Sequence, residues 1–592
     1  MFTAGGNDSI HVSARASGSI VQGGADKCES REHQRPQVAA PASAEQGKFY
    51  RTFFQSGDIP SIDQALVGDQ IGIQLVDELT VGLLRQNEVS GAIENGMAES
   101  FEVSADGRVY TFKIRQGVPW VRYNAETDAV EEALDCDGKV RIVTVADFAY
   151  GAERTLRPET ASDYAYVAYA IEGAEAFNMP EEDKEPDFAA VGVKVIDDFT
   201  IEYTFVEPGV FNQNIISMWM LHAMPRWVIE GDACTEGVAE RWTESETYQG
   251  YGPFTLKEWI HDSHLTILAN PFWPGTEEIP APTIAGVIVH IMDSSAGLSE
   301  YEAGNMDTAG ITAADYDRIM TDPVLSAEVV DLKGDVGTEF LIFNPNLPPT
   351  DDVRVRKALA YAIDRDAVVA TLKAGMTAKV FIHPGVTGAP VSDDPDFGAS
   401  FDTGKARELI AGYCAEKGIT PADITVTVAY NTSESRKMYM ELLQYMWSDS
   451  LGINVELKNS EWKVYKVERE EGTSNVYRST WVQDYMDANN FTRDVFLCGA
   501  SYQAVTDWPS VGCVERDDPL FREYEEVVLT AARELDPEKR VELYTRSDEI
   551  LINEAAIVTP TYYYGGPFLR KPNIKAPESL TGYERWEKWT IE

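Results

Sequence analysis

A chain of 592 residues is too long for one hydrophobic core and calls for several domains. Its 97 acidic against 50 basic side chains leave a net charge of −47, which argues against nucleic acid or an anionic membrane surface as partner. The hydrophobic fraction of 44% is that of ordinary folded protein, and no stretch approaches the roughly twenty apolar residues of a membrane-spanning helix.

Residues 1–47 are rich in Ala, Gly, Ser and Gln without a hydrophobic period and read as a disordered leader. The opening MFTAGGNDSI lacks the basic start and apolar core of a secretory signal, so a trimmed or substituted start is expected. KFYRTFFQS then reads as a buried strand, and the later part of IDQALVGDQIGIQLVDELTVGLL has helical spacing. SFEVSADGRVYTFKIRQGVPW alternates apolar and polar residues across an Asp-Gly turn, the pattern of a hairpin. In the acidic stretch that follows, Asp135 and Asp137 before Gly138 suggest a calcium loop only superficially, because its first and twelfth ligand positions would be Ala133 and Thr144.

VTVADFAYGAERTL reads as a helix, and VKVIDDFTIEYTF as a strand pair. GYGPFTLKEWIHDSHLTILANPFW carries His261 and His264 in a polar turn between strands; without further ligands to complete a metal pattern, a solvated turn is expected. FLIFNPNLPPTDDVRVRKALAYAIDRDAVV predicts a strand, a Pro-rich turn and an amphipathic helix. Asp352, Arg354 and Arg356 open that helix and Asp364, Arg365 and Asp366 lie near its far end, charges suited to fixing helix ends and domain contacts. ITVTVAYN, SRKMYMELLQYMWSDSL and INVELKNS form a βαβ unit, whose right-handed crossover predicts a mostly parallel sheet. PEKRVELYTRSDEILINEA is a further helix, and IVTPTYYYGGPFLRKPN returns as strand and loop.

The segment from Glu461 to Phe491 sets Trp462 and Trp481, Arg469 and Arg478, and Asp484 between helix-like and strand-like patterns. A desolvated carboxylate binds ammonium strongly, arginine forks onto a carboxylate, and aromatic walls tolerate varied side chains. That is a kit for catching a zwitterion, and it needs no catalytic base. On composition alone the same residues read as core aromatics and a solvated face.

This segment resembles the signature of extracellular solute-binding protein family 5, the oligopeptide- and dipeptide-binding proteins of ABC importers. So do the Gly-x-x-Trp ending of the hairpin at Gly117–Trp120, the Pro-x-Thr-Ala-Ser turn at Pro158–Ser162, the Gly-x-Gly-Pro-aromatic turn at Gly250–Phe254 and the Asp-x-Arg-x-Arg helix start at Asp352–Arg356. The resemblance runs from about residue 48 to 592. It implies an α/β, two-lobed periplasmic-binding-protein fold of the large, type II-like kind with an extra third subdomain. Lobe I would take residues 48–80, 195–340 and 558–592, the extra subdomain 81–194 and lobe II 341–557, with a hinge near 338–346 and 554–562. The implied protein is a monomeric receptor, not an enzyme, with no cofactor or metal. It captures an oligopeptide in an extracytoplasmic compartment and delivers it to the permease subunits of an ABC transporter.

Residue by residue, the resemblance implies that Asp484 meets the peptide ammonium, Trp462 and Trp481 line side-chain pockets, and Arg469 and Arg478 meet the carboxylate. Tyr164 closes from the opposite lobe, the backbone of Gly68, Asp69 and Gln70 adds strand-like hydrogen bonds, and Tyr485 belongs to the ligand-binding set. Where oligopeptide-binding relatives carry a His, this chain has Arg436, a permanent cation of longer reach. VRYNAETDAVEEALDCDG is longer and more acidic than the turn expected there and reads as an insertion. Six cysteines without a C-x-x-C pair exclude zinc-ribbon and thioredoxin-type motifs. The resemblance pairs Cys498 with Cys513, because dipeptide-binding relatives carry a small disulfide loop there; Cys136 and Cys234 are a further candidate pair, and Cys28 and Cys414 are left free. Two alternatives stay open. One is an oligosaccharide receptor stacking sugars on Trp462, Trp481 and Tyr562–Tyr564, against which Asp484 and two arginines argue. The other is a secreted glycosidase using a carboxylate pair, for which no recognisable segment, GxSxG elbow or HExxH helix is present.

Overall fold

Alternating apolar side chains build the first sheet. In the computed structural model, which describes residues 48–592 apart from 55–56, 182–183, 210, 333–335, 393–396, 499, 501 and 503–517, Phe49–Phe54 runs parallel to Gly286–Ile291. Antiparallel His264–Ala269 and Phe254–Ile260 complete the sheet. The expected leader at 1–47, with Cys28, and the Cys513 half of a disulfide lie outside the described residues. Phe49–Phe54 is the edge strand, and only Tyr50 in it is fully buried. The buried strand expected from its aromatic run is therefore half-buried, because an edge position leaves one flank without a partner strand.

The Asp-Gly turn folds as its chemistry requires, with Gly107 at φ +74° between Ala98–Val103 and Val109–Ile114. That hairpin joins Thr200–Thr204 and Val193–Asp197 in a second four-stranded sheet. The helix Val145–Leu156 is started by a capping box in which Thr144 and Asp147 satisfy each other's backbone. The acidic insertion closes into a hairpin, Val121–Asn124 against Ala129–Glu132, and the loop after it is stapled by a Cys136–Cys234 disulfide with Cα atoms 5.5 Å apart.

The second lobe is built on a six-stranded sheet in the order Met376–Thr377, Val558–Tyr563, Gly337–Phe343, Val476–Val482, Thr425–Asn431, Asn454–Ser460. The βαβ unit forms as read, its strands parallel around the helix Glu434–Leu451. The sheet as a whole is mixed rather than mostly parallel, with three antiparallel and two parallel pairings. Gly337–Phe343 brings the chain into this lobe and Val558–Tyr563 takes it out, so these neighbours must run in opposite directions.

Gly337–Phe343 is buried along its whole length. Phe340 and Ile342 face a core with Phe381, Phe491 and Phe496, whereas Leu341 and Phe343 face another with Leu359, Met440 and Trp447. The single helix expected after it breaks into Val353–Tyr361 and Arg365–Leu372, each begun by an aspartate side chain: Asp352 accepts from Arg354 N and Asp364 from Ala367 N. Arg356 donates to the carbonyls of Ala555 and Thr350, and Arg365 to Pro560 O and Thr559 Oγ1, so these charges tie the helices to the outgoing strand.

The first lobe has its own large core, drawn from residues 50–289 and 574–589, and the strands of 98–204 pack into it. Tyr485 is the one fully buried side chain from the second lobe that joins it among the described residues. Between the lobes the chain crosses twice, side by side. Val329–Leu332 pairs with Gly566–Arg570 on one side of the crossing and Gly337–Phe343 with Val558–Tyr563 on the other. The ligand-sized space lies beside this double crossing.

Candidate functional site

A cavity of about 560 Å³ opens between the lobes. One wall is the helix Trp462–Glu470, started by the Glu461 carboxylate accepting from Lys463 N at 2.9 Å. Trp462, Tyr465, Lys466 and Arg469 are spaced by three and four residues, so all four reach the cavity from one helix face. The strand Val476–Val482 brings Arg478, Thr480 and Trp481, and Asp484 follows just past its end. Arg436 enters from the first turn of Glu434–Leu451. Across the cavity stand Gly68, Asp69 and Gln70 at the start of the helix Gln70–Leu79, together with Tyr164 and Tyr583.

Asp484 is 9% exposed, and no cation pairs with it among the described residues. Asn490 clamps it: Nδ2 donates to Asp484 Oδ2 at 2.8 Å, and the Asp484 N–H donates to Asn490 Oδ1 at 2.9 Å. Burial pushes this carboxyl up to about 7, with the Asp494 charge adding to the rise and the Asn490 amide and Tyr164 hydroxyl opposing it. Asp69 caps its helix by accepting from Gly72 N at 3.1 Å, and burial raises it to about 6. Its backbone is extended, at φ −131° and ψ 153°. Gly68 lies so close to Tyr164 that a Cβ there would stand 3.2 Å from the ring.

The three cavity arginines differ in what already occupies them. Arg478 forks onto the fully buried Glu339, with Nε 2.5 Å from Oε1, and the Thr480 and Tyr564 hydroxyls also donate to Glu339 Oε2, at 2.6 and 3.0 Å. Its charge is met within the protein. Arg469 is 6% exposed and lies 4.2 Å over the Tyr502 ring, and its Nε has no hydrogen-bond acceptor among the described residues. Burial, and next the nearby Arg478 charge, hold the Arg436 guanidinium below its ordinary range.

The family model for bacterial extracellular solute-binding proteins, family 5 Middle, matches residues 92–503. The chain belongs to this family. It is 27% identical over 521 residues to the dipeptide-binding protein DppE of Bacillus subtilis, covering 87% of each chain. It is 28% identical over 516 residues to the periplasmic oligopeptide-binding protein OppA of Escherichia coli, covering 84% of this chain and 83% of that one. Among solved structures it is similar to the E. coli murein tripeptide binding protein MppA, with a TM-score of 0.76 at 24% identity over 92% of this chain and 99% of that one. Haemophilus influenzae OppA in complex with RPPGFSPFR gives a TM-score of 0.76 at 22% identity over 92% and 99% of the two chains. At these identities the structures show the fold, the two-lobed α/β architecture of the family.

In this family 5 protein, ten of the residues expected at the site line the one cavity: Asp484, Trp481, Trp462, Arg469, Arg478, Arg436, Tyr164, Gly68, Asp69 and Gln70. Tyr485 does not. It is fully buried behind Asp484, its ring in the first-lobe core and its hydroxyl donating to Asp494 Oδ2 at 2.5 Å. Of the tyrosines at 562–564 weighed as sugar platforms, only Tyr564 reaches the cavity, and its hydroxyl is engaged with Glu339. Tyr562 packs by Tyr439 and Tyr563 by His383. Glu339, Asn490, Asp494, Tyr502 and Tyr583 shape the site and were not anticipated. Glu339 alone carried a usable signal, as an acid in the otherwise uncharged strand GTEFLIF, where burial demands a cationic partner. His261 lies in a half-exposed turn with Nδ1 2.7 Å from Asp58 Oδ2. Cys498 is disulfide-bonded and Cys414 is free and buried. Among the described residues, Cys136, Asp232 and Cys234 are the one group spaced for a metal, and the two sulfurs are already bonded to each other.

Proposed function

We propose that this protein is the substrate-binding subunit of an ABC importer and that it captures oligopeptides with free termini in the interlobe cavity. The observation that carries this reading is the pairing, within one aromatic-walled cavity, of a buried carboxyl and an arginine that, among the described residues, have no cation and no hydrogen-bond acceptor for Nε respectively. A neutral sugar offers hydroxyls to both groups but balances the charge of neither. A peptide answers both. Asp484 takes the ammonium, Trp462 and Trp481 pack the side chains, and the extended backbone at Gly68–Gln70 offers strand-type hydrogen bonds, with Tyr164 closing above. Arg469 and Arg436 take more of the carboxylate than Arg478, whose charge Glu339 already balances. A volume of about 560 Å³ suits a short peptide or the anchored part of a longer one.

Delivery to a permease follows from the family, and two disulfide-bonded regions fit an extracytoplasmic location. Among the described residues no helix is long and apolar enough to cross a membrane. Calorimetric titration tests the ligand class. Trialanine is expected to bind, N-acetyl-trialanine to bind roughly 100-fold more weakly because the lost charge-assisted contact is worth about 3 kcal/mol, and maltotriose not to bind. Maltotriose binding with all peptides inert would overturn the peptide assignment.

A further inference from the structure

Behind Asp484 lies a second buried carboxyl that touches no part of the cavity. Asp494 is fully buried on the helix Asn489–Phe496, and it neither lines the cavity nor pairs with a cation at ion-pair distance among the described residues. The link between the two is one side chain. Asn490 Nδ2 donates to Asp484 Oδ2 at 2.8 Å and to Asp494 Oδ2 at 3.2 Å, while its Oδ1 accepts from the Asp484 N–H at 2.9 Å and from Trp481 Nε1 at 3.0 Å. Every polar atom of that amide is used, so its orientation is fixed. Asp494 is held in turn: Tyr485 donates to Oδ2 at 2.5 Å, Tyr166 of the other lobe donates to the backbone oxygen at 2.5 Å, and Oδ1 has no hydrogen-bond donor among the described residues.

We propose that Asn490 and Asp494 are positioning residues for ligand capture: Asn490 fixes Asp484 beside a second buried carboxylate, whose charge helps Asp484 hold a proton in the empty cleft until a ligand ammonium arrives. This rests on the peptide-receptor reading. Two carboxylates sharing one amide in a water-poor interior cannot both ionise cheaply. Burial raises Asp494 as well, and its two donors and the nearby Arg493 charge work against that rise in favour of its anion. Asp487, the other acid near it, is already forked by Arg540 at 2.8 and 2.9 Å, and the Tyr524 and Tyr544 phenols that face it stay neutral. Asp484 faces the Asn490 amide, the Tyr164 and Tyr583 hydroxyls and the cavity, with no charged group at ion-pair distance among the described residues, so the proton resides there. On capture the Asp484 O–H breaks, the proton passes to solvent, and the carboxylate accepts from the incoming ammonium. The raised Asp484 carboxyl, at about 7, agrees with this. Capture is thereby coupled to pH, and binding weakens as the medium becomes more acidic.

The test is titration of the intact protein with trialanine, whose amino group remains mostly charged below pH 7. Calorimetry at pH 7.0 in phosphate and in Tris, buffers of different ionisation enthalpy, reads the proton count directly. About half a proton should leave per peptide bound, and affinity should fall about 15-fold between pH 7.0 and 5.5. In Asp494→Asn the release should fall below the wild-type value and the affinity change between the two pH values should shrink, because the second charge is gone while burial still raises Asp484. Asn490→Ser should act in the opposite direction, raising release at pH 7.0 towards one proton by removing a donor to the Asp484 anion. A merely structural role would weaken binding in both variants without moving either pH profile, so the second variant decides the matter if the first fails to fold. Wild-type protein that binds trialanine with flat affinity and no proton release would overturn this inference and leave the receptor reading intact. Failure to bind any peptide at any pH would remove both.

Discussion

At the residue scale, the cavity works by leaving selected charges unsatisfied. Arg478 and Glu339 neutralise each other inside the wall, whereas Asp484 has an amide and phenols beside it and no cation among the described residues. The empty protein bears the cost of that carboxyl whenever it is ionised. Its pKa is raised from an unfolded value near 4 to about 7, so the destabilisation is absent below pH 4, grows as pH rises through 7, and is full above it. Asp484→Asn is therefore expected to raise the melting temperature of the empty protein at pH 8 by several degrees and to change it little at pH 4.5, read by scanning calorimetry. Equal effects at both pH values would contradict the assignment. Asp484 itself was legible in the sequence through the spacing Trp481-x-x-Asp484 and the family resemblance. Its neighbour Tyr485 was not separable from it, because one position along the chain decides between facing the cavity and filling the opposite core. Nor was Asp494, which is ten residues away in the chain and distinguished only by a contact through Asn490.

At the scale of elements, the hairpins and helix starts were readable because turn and cap chemistry are local: Gly107 in its turn, Thr144 with Asp147, Asp352 and Asp364 at helix starts. The mixed character of the six-stranded sheet was not, since strand direction depends on where the chain enters and leaves the lobe. The sequence placed the hinge within 338–346 and 554–562, but the strands there are laddered together and buried. The insertion hairpin Val121–Glu132 illustrates a different dependence. It is a small two-stranded element, marginal alone, and the Cys136–Cys234 bond, between residues 98 apart in the chain, anchors the loop that follows it. Replacing both cysteines by serine should cost about 2–4 kcal/mol and leave trialanine affinity unchanged, because neither sulfur lines the cavity. An unchanged urea midpoint would show that the hairpin is held by its other contacts, such as Arg141 with Asp232.

At the scale of the molecule, two lobes with separate cores meet over one cavity and are joined by two adjacent crossings. With separate cores, a movement of one lobe relative to the other would leave the packing inside each intact. Contacts from lobe to lobe frame the cavity rather than fill it: Lys466 lies 3.4 Å from Asp163, Lys463 is 3.6 Å from Asp58, and Gln483 donates to Thr581 O at 2.9 Å. The cavity is the place where apposed walls leave room for something else, and on the reading proposed above that is a zwitterion. Native mass spectrometry of the purified protein, before and after mild unfolding, asks that question most directly. The account predicts short peptides released from the wild-type protein and none from Asp484→Ala. Wild-type protein carrying sugars or other neutral solutes, retained unchanged in Asp484→Ala, would contradict it.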